Sequence, residues 1–424
     1  MKNINFRKQL VSNDFLRSFA LLASGSVIAQ IITILISPIV TRLFTPEQFG
    51  LYTIVITAMS LFGPVICLKY DMGIVNAKSE REAFSLILLC GIMIVPLSLL
   101  ISILYSMTVI RGNYSLLQLW GYIFAIAMLL ITYGLNNILL AYNNRHGLYK
   151  IMSSVTVIKS LVNNILLVLS GISKLGVIGL LGSQIISSLV GLKRQSKSLL
   201  GNIRYGKNIG FIEMKQVFLD YKKLPIFNAS SALITTSVYS SINLFIAIAF
   251  SAQQLGLYSL SYRVLGIPFT IISANIARVF FNSATKEFNS RSNFSKTFKS
   301  TLILLIITVV PIILIIAIFS PWLFSTVFGV EWANAGNYIR LLAPMFAIRL
   351  ISESLTTSFI VSKKQNIELL FQSMLLLGLL IIYTLSYFLN TSIEVFLVYI
   401  SLLYLLVHGI MIFKMYKISK MKIN

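Results

Sequence analysis

Four cations and one carboxylate stand inside long runs of apolar residues: Lys159, Arg263, Arg340, Arg349 and Glu353. A charge at the centre of a bilayer costs about 3 kcal/mol on insertion scales, so each needs a partner, a wet cavity or a ligand. Arg349 and Glu353 lie four residues apart on one face of a helix and can pair. That spacing suits a structural ion pair as well as a coupling or binding site. Arg340 sits near the end of its run, from which a long side chain can snorkel to water. Lys159 and Arg263 have no acid nearby in sequence. A cationic cavity for phosphate fits them, and so does a tertiary contact with backbone carbonyls. Lys69 and Asp71 flank Tyr70 at the end of an apolar run, where they read as a gate or as an interfacial anchor with a local ion pair. Arg42, in the polar stretch around Thr41–Tyr52, either guards a cavity mouth or anchors a helix end.

Other chemistries lack their parts. The two cysteines, Cys67 and Cys90, lie in apolar segments with no CxxC spacing, and the two histidines, His146 and His408, are far apart. Neither a disulfide framework nor a metal centre is expected; the histidines read as ordinary interfacial residues. Gly201–Asn208 nearly has phosphate-loop spacing but lacks the Ser/Thr that holds magnesium and has no strand before it. No catalytic set, cofactor or metal is expected, and transport by this chain would run on gradients or substrate flux.

The elements that position these charges are membrane helices. Of 424 residues, 57% are hydrophobic and 11% charged, with mean hydropathy +0.87. Soluble domains carry about 25% charged residues, so lipid is the solvent for most of this chain. Twelve apolar runs are long enough to span a bilayer: 15–39, 50–68, 83–109, 116–141, 151–170, 175–192, 225–250, 257–281, 301–324, 338–361, 367–389 and 393–413. They are continuous rather than alternating, which favours helices over barrel strands. The basic start leads directly into the first run with no small-residue cleavage site, so no cleavable signal peptide is expected.

The net charge of +23 follows the loops rather than one soluble face, which argues against nucleic acid. With the N-terminus inside, about 28 of the 35 Lys and Arg fall on inner segments, and both termini are cytoplasmic by the positive-inside rule. The expected organisation is an N-terminal six-helix lobe (1–192), a basic cytoplasmic linker loop (193–224) and a C-terminal six-helix lobe (225–424). Six spans per half make the halves parallel repeats. Pro46-Glu47-Gln48-Phe49-Gly50-Leu51-Tyr52 is echoed by Ala252-Gln253-Gln254-Leu255-Gly256-Leu257-Tyr258, and Gly63-Pro64 by Gly266-Ile267-Pro268. Paired helix interruptions point to a cavity between repeats. Gly50 and Gly256 are expected in equivalent turns that use glycine for a tight backbone.

The run Gly25…Gln30…Pro38…Thr41-Arg42-Leu43-Phe44-Thr45-Pro46-Glu47-Gln48-Phe49-Gly50-Leu51-Tyr52 resembles the N-terminal signature of Wzx-type polysaccharide repeat-unit flippases. Leu68-Lys69-Tyr70-Asp71-Met72-Gly73-Ile74 with Glu82-Ala83, and Gly256-Leu257-Tyr258-Ser259-Leu260-Ser261-Tyr262-Arg263 with Pro268, are similar to that family's later blocks, although Lys69 and Asp71 stand where Arg and Glu are common. The resemblance implies the multidrug/oligosaccharidyl-lipid/polysaccharide exporter superfamily: an all-α integral membrane fold of two six-helix lobes around a central cavity. It implies a bacterial inner-membrane flippase that moves undecaprenyl-pyrophosphate-linked oligosaccharide, O-antigen or capsule, to the periplasmic leaflet by alternating access. Partners implied are the lipid-linked oligosaccharide, the bilayer, a polysaccharide polymerase and a chain-length regulator. In that family cationic cavity residues are thought to meet the pyrophosphate, which implies that role for Arg263, which stands in the last motif, and then for the other span cations Lys159 and Arg349; Glu353, Asp71, Lys69 and Arg42 are coupling or gating candidates. Two competing readings are a cation-coupled drug antiporter of the same superfamily, which would rely on buried acids in the first half whereas the buried charges here are mainly positive, and a polysaccharide polymerase or membrane glycosyltransferase, which would carry a large outer loop.

Overall fold

Two helix starts organise the second half of the molecule, and their sequences say why they form. At Thr45 the backbone N–H donates to Gln48 Oε1 (3.2 Å) and the Gln48 N–H donates to Thr45 Oγ1 (3.3 Å). At Ser251 the same reciprocal pair forms with Gln254, at 3.2 Å in both directions. Each is a capping box that satisfies two otherwise orphaned donors, and a shift of 206 residues superimposes one on the other. Ser251→Ala is expected to lower stability by about 1 kcal/mol while Ser251→Thr leaves it nearly unchanged, read as thermal unfolding in detergent.

The computed structural model describes residues 13–109, 115–207 and 209–421, with side chains from residue 24 onward. Among these residues the chain is helical, without strand. In order come α1 (Asn13–Leu43), α2 (Pro46–Phe62), α3 (Tyr70–Asn76), α4 (Glu80–Val109), α5 (Leu116–Arg145), α6 (Tyr149–Ile172) and α7 (Gly176–Leu189). They are followed by α8 (Leu192–Gly201), α9 (Phe211–Asp220), α10 (Ser230–Ala249), α11 (Ala252–Ser261), α12 (Ile267–Arg291) and α13 (Ser295–Val327). The last are α14 (Ala333–Leu355), α15 (Ser358–Val361), α16 (Gln365–Phe388) and α17 (Ile393–Lys420). Two wide π-helical turns interrupt this order: Leu224–Ala229 leads directly into α10, and Tyr262–Gly266 joins α11 to α12.

Among the described residues, eleven helices are long and apolar enough to cross a membrane. The tenth expected span is not one of them. It is α14, which carries Arg340, Arg349 and Glu353 and stops at Leu355, short of the expected end. It tolerates these charges because protein covers it: α11, α12, α13 and α17 all pack on it. Its backbone is bonded to those neighbours by Ser261 Oγ to Ala335 O (2.8 Å), Ser320 Oγ to Gly336 O (2.8 Å) and Ser401 Oγ to Leu341 O (2.7 Å). Small residues and hydroxyls allow such close packing in lipid.

The chain forms two compact units. The first comprises residues 1–43 and 55–233, and the second 44–54 and 234–424. In the first, α1 lies along α6, with Ser160 Oγ donating to Ala29 O (2.8 Å), and α4 packs on α5. The basic stretch 193–224 is not an open loop. It contains α8 and α9, and it is fastened to the first unit by two hydrogen bonds from Arg81 to Glu213 (2.9 and 2.7 Å), by Tyr221 Oη to Glu82 Oε1 (3.1 Å) and by Tyr70 Oη to Phe218 O (3.1 Å). The Arg81 bonds hold the Glu213 carboxyl below its ordinary range. Of the stretch with near phosphate-loop spacing, Gly201 ends α8 and Ile203–Gly206 form a 3-10 turn, with no strand before them among the described residues; Asn208 lies outside the described residues.

The second unit contains the start of α2, and here Gly50 and Gly256 differ from the sequence expectation. Neither is in a turn; both are inside helices, one turn in. A Cβ on Gly50 would lie 1.7 Å from Ala252 O, and one on Gly256 would lie 1.8 Å from Pro46 O. Glycine is needed for the approach of two helix backbones, and the two contacts are reciprocal: Pro46 and Ala252 are equivalent by the same 206-residue shift. Phe49 continues this packing edge-on to Trp332, with centroids 5.3 Å apart, and Trp332 is 1% exposed.

Candidate functional site

The charged residues separate into three settings. The first is sealed. Arg349 on α14 is 6% exposed. Its Nε donates to Glu353 Oε1 at 2.8 Å, Nη1 to Tyr262 Oη at 3.3 Å and Nη2 to Thr270 Oγ1 at 3.4 Å. Tyr239 from α10 donates to Glu353 Oε1 (3.0 Å) and Ser273 from α12 to Glu353 Oε2 (3.3 Å). The guanidinium also lies 4.3 Å from the Tyr239 ring centroid, a cation–π distance. Three elements thus close around one ion pair, and both charges are compensated. Next to it, His408 is 2% exposed and bonds Ser352 Oγ through Nδ1 at 2.6 Å. It is a core residue of the second unit, not an interfacial one.

Arg263 is in the second setting. It stands in the π-helical turn between α11 and α12, half-buried, with its guanidinium 5.4 Å from the Phe49 ring centroid and the Tyr52 hydroxyl facing it. A π-turn carries one extra residue and offsets the side chains after it, a feature frequent at functional sites. Among the described residues Arg263 forms no ion pair.

Lys159 is in the third setting, in the first unit on α6. Its Nζ bonds Asn136 Oδ1 on α5, and the same oxygen accepts from Gln195 Nε2 on α8 (3.2 Å). Asn136 Nδ2 donates to Thr132 O (2.7 Å) and Ser188 O (3.2 Å), which fixes the amide. Lys159 likewise has no carboxylate partner among the described residues. The neighbouring polar side chains are neutral amides and hydroxyls.

The remaining sequence candidates lie apart. Lys69 takes a left-handed backbone (φ 63°) just before α3, and Asp71 opens α3 beside it. Burial pushes the Asp71 carboxyl above its ordinary range, against the pull of Lys69. Arg42 is an exposed residue in the last turn of α1, and Arg340 reaches Ala317 O at 3.3 Å from an exposed position. One cluster does not stand out in the sequence. Arg145 bonds Glu80 Oε1 (2.9 Å) and Ala77 O (2.6 Å), and Tyr142 reaches Glu80 Oε2 (3.3 Å), which ties α3's end to α4 and α5. The clue lies in Glu80 being one of only 12 acids in the chain.

Residues 39–337 match the family described as "Polysaccharide biosynthesis protein". The chain belongs to that family. No curated protein matches it. Among solved structures, the chain is similar to the lipid II flippase MurJ in an inward closed conformation, at TM-score 0.71 and 13% identity over 94% of this chain and 90% of that one. An inward-facing multidrug resistance MATE family transporter of the MOP superfamily aligns at TM-score 0.62 and 12% identity, over 94% and 100%. A MOP superfamily transporter from Pyrococcus furiosus, described with a binding pocket of reverse polarity, aligns at TM-score 0.59 and 12% identity, over 96% of each chain. At such identities the likeness is one of fold: the chain is an all-α, multi-pass membrane protein whose helix arrangement resembles theirs.

Proposed function

We propose that this protein is a flippase for undecaprenyl-pyrophosphate-linked oligosaccharide repeat units of O-antigen or capsule, acting by alternating access in the bacterial inner membrane with both termini cytoplasmic. The observation that carries the reading is that two cations within membrane spans, Lys159 in the first unit and Arg263 in the second, each form no ion pair among the described residues. Such a charge calls for an anionic ligand. A lipid diphosphate crossing the membrane needs its hydration replaced by fixed donors. Arg263 offers a planar fork that binds phosphate oxygens two at a time, and Lys159 a point charge. Arg349 is the weakest of the three in this role, because its donors are already committed to Glu353, Tyr262 and Thr270. The family supports a role in polysaccharide assembly, and the MurJ likeness supports a lipid-linked cargo. A polymerase and a chain-length regulator would act on the product.

Arg263→Ala is expected to reduce surface polysaccharide at least about tenfold, the loss of one charge-assisted phosphate contact, while the protein still reaches the membrane. Normal polymer in that variant would remove Arg263 from the site. Single repeat units accumulating on the outer leaflet of a deletion strain would point to a polymerase instead.

A further inference from the structure

The first unit carries a cleft of about 420 Å³ whose lining holds no cation. Asp71, Asn76, Asn137 and Asn144 supply its polar atoms, and Met72 and Met152 flank them. All come from α3, α5 and the start of α6, so the cleft is built within one unit. Asp71 Oδ1 is shielded from solvent yet has no hydrogen-bond partner among the described residues. A shielded acceptor without a donor costs about 1–3 kcal/mol, more when charged, so the site is short of a donor.

We propose that this cleft is a sugar subsite, which takes a neutral ring of the oligosaccharide through hydroxyl donation to Asp71 and hydrogen bonds with Asn76, Asn137 and Asn144. The inference rests on the flippase reading and adds where the uncharged part of the cargo is read. Three features select this ligand class. A carboxylate without a lining cation repels a diphosphate, so the cleft does not serve the same group as Arg263 and Lys159. Its volume is within the range of about 300–1,000 Å³ typical of organic ligands and far exceeds what one ion needs. Carboxamides both donate and accept, which matches hydroxyl groups, while Val75 and Leu140 offer an aliphatic surface to the ring's C–H face. The two lining methionines can repack around different sugars.

The test uses the full chain in lipid nanodiscs and two probes: undecaprenyl diphosphate, and the lipid-linked repeat unit extracted from cells that express this chain. Native mass spectrometry gives the affinity ratio. Wild type is expected to hold the glycosylated lipid about tenfold tighter than the bare one. Asp71→Asn and Asn137→Ala are expected to bring the ratio to about one with bare-lipid affinity unchanged, each lost hydrogen bond weighing about 1 kcal/mol or more. Asn144→Ala, at an exposed position that leaves folding intact, is expected to lower the ratio about threefold. Ratios unchanged in all three variants, or an equal loss for both lipids, would overturn the subsite and leave the flippase reading standing. Wild-type protein that binds neither probe would overturn that reading, and the subsite with it.

Discussion

Replacing Gly50 or Gly256 by alanine is expected to destabilise the protein by at least about 3 kcal/mol, the upper end of what overpacking costs. The added methyl would stand 1.7 or 1.8 Å from a carbonyl oxygen of another helix's first turn, and that oxygen is backbone, so no rotamer change relieves the clash. The helices must move apart, which would loosen the contact of Phe49 with Trp332 and shift Phe49 under Arg263. The control is built into the same chain. Gly91 and Gly121 are inside α4 and α5, where an added methyl would meet nothing within 4 Å, and there alanine should be neutral or stabilising by about 0.5–1 kcal/mol, through helix propensity. Thermal unfolding of the four single variants in one detergent decides it. If all four shift alike, close approach is not what these glycines are for.

Arg349→Met is expected to cost about 3–5 kcal/mol, because it leaves the Glu353 carboxylate uncompensated where the side chain is only 18% exposed. Adding Glu353→Gln should restore at least half of that loss, since the neutral amide still meets Tyr239 and Ser273. A double-mutant cycle measures the coupling directly. Additive losses would show the pair to be independent. The double variant also separates structure from transport. If it is stable and still delivers polysaccharide, Arg349 serves packing alone; a stable protein that delivers none gives Arg349 a part in handling the cargo.

The membrane fold was legible because apolar runs of spanning length are too long and too free of charge for a soluble core. The repeat was legible because Pro46–Tyr52 and Ala252–Tyr258 nearly share a sequence. The Arg349–Glu353 pair was legible from its spacing of four. What closes around that pair was not: Tyr239, Tyr262, Thr270 and Ser273 come from elsewhere in the chain, and a one-dimensional pattern does not bring them together. The tenth span was harder to bound than the rest because burial in protein, not lipid, selects its residues. In sequence Gly50 reads as a turn residue, since glycine serves tight turns and close helix contacts equally well, and only the position of Ala252 O distinguishes them. His408 shows the same limit. Its place near the end of the last helix says nothing about the α14 residue, Ser352, that bonds it.

The reciprocal approach of Gly50 to Ala252 and Gly256 to Pro46 has the form of an isologous interface, in which residue i of one copy meets residue j of the other and j meets i. A half-length chain bearing one such motif would satisfy both contacts by pairing with a second copy of itself. The two motifs nevertheless differ around that contact: where one has Phe49 and Pro46 the other has Leu255 and Ala252, and Arg263 stands in a π-turn where the first motif continues as regular α-helix. The contact point that both motifs keep is the one where any side chain at all would stop the two helices from meeting.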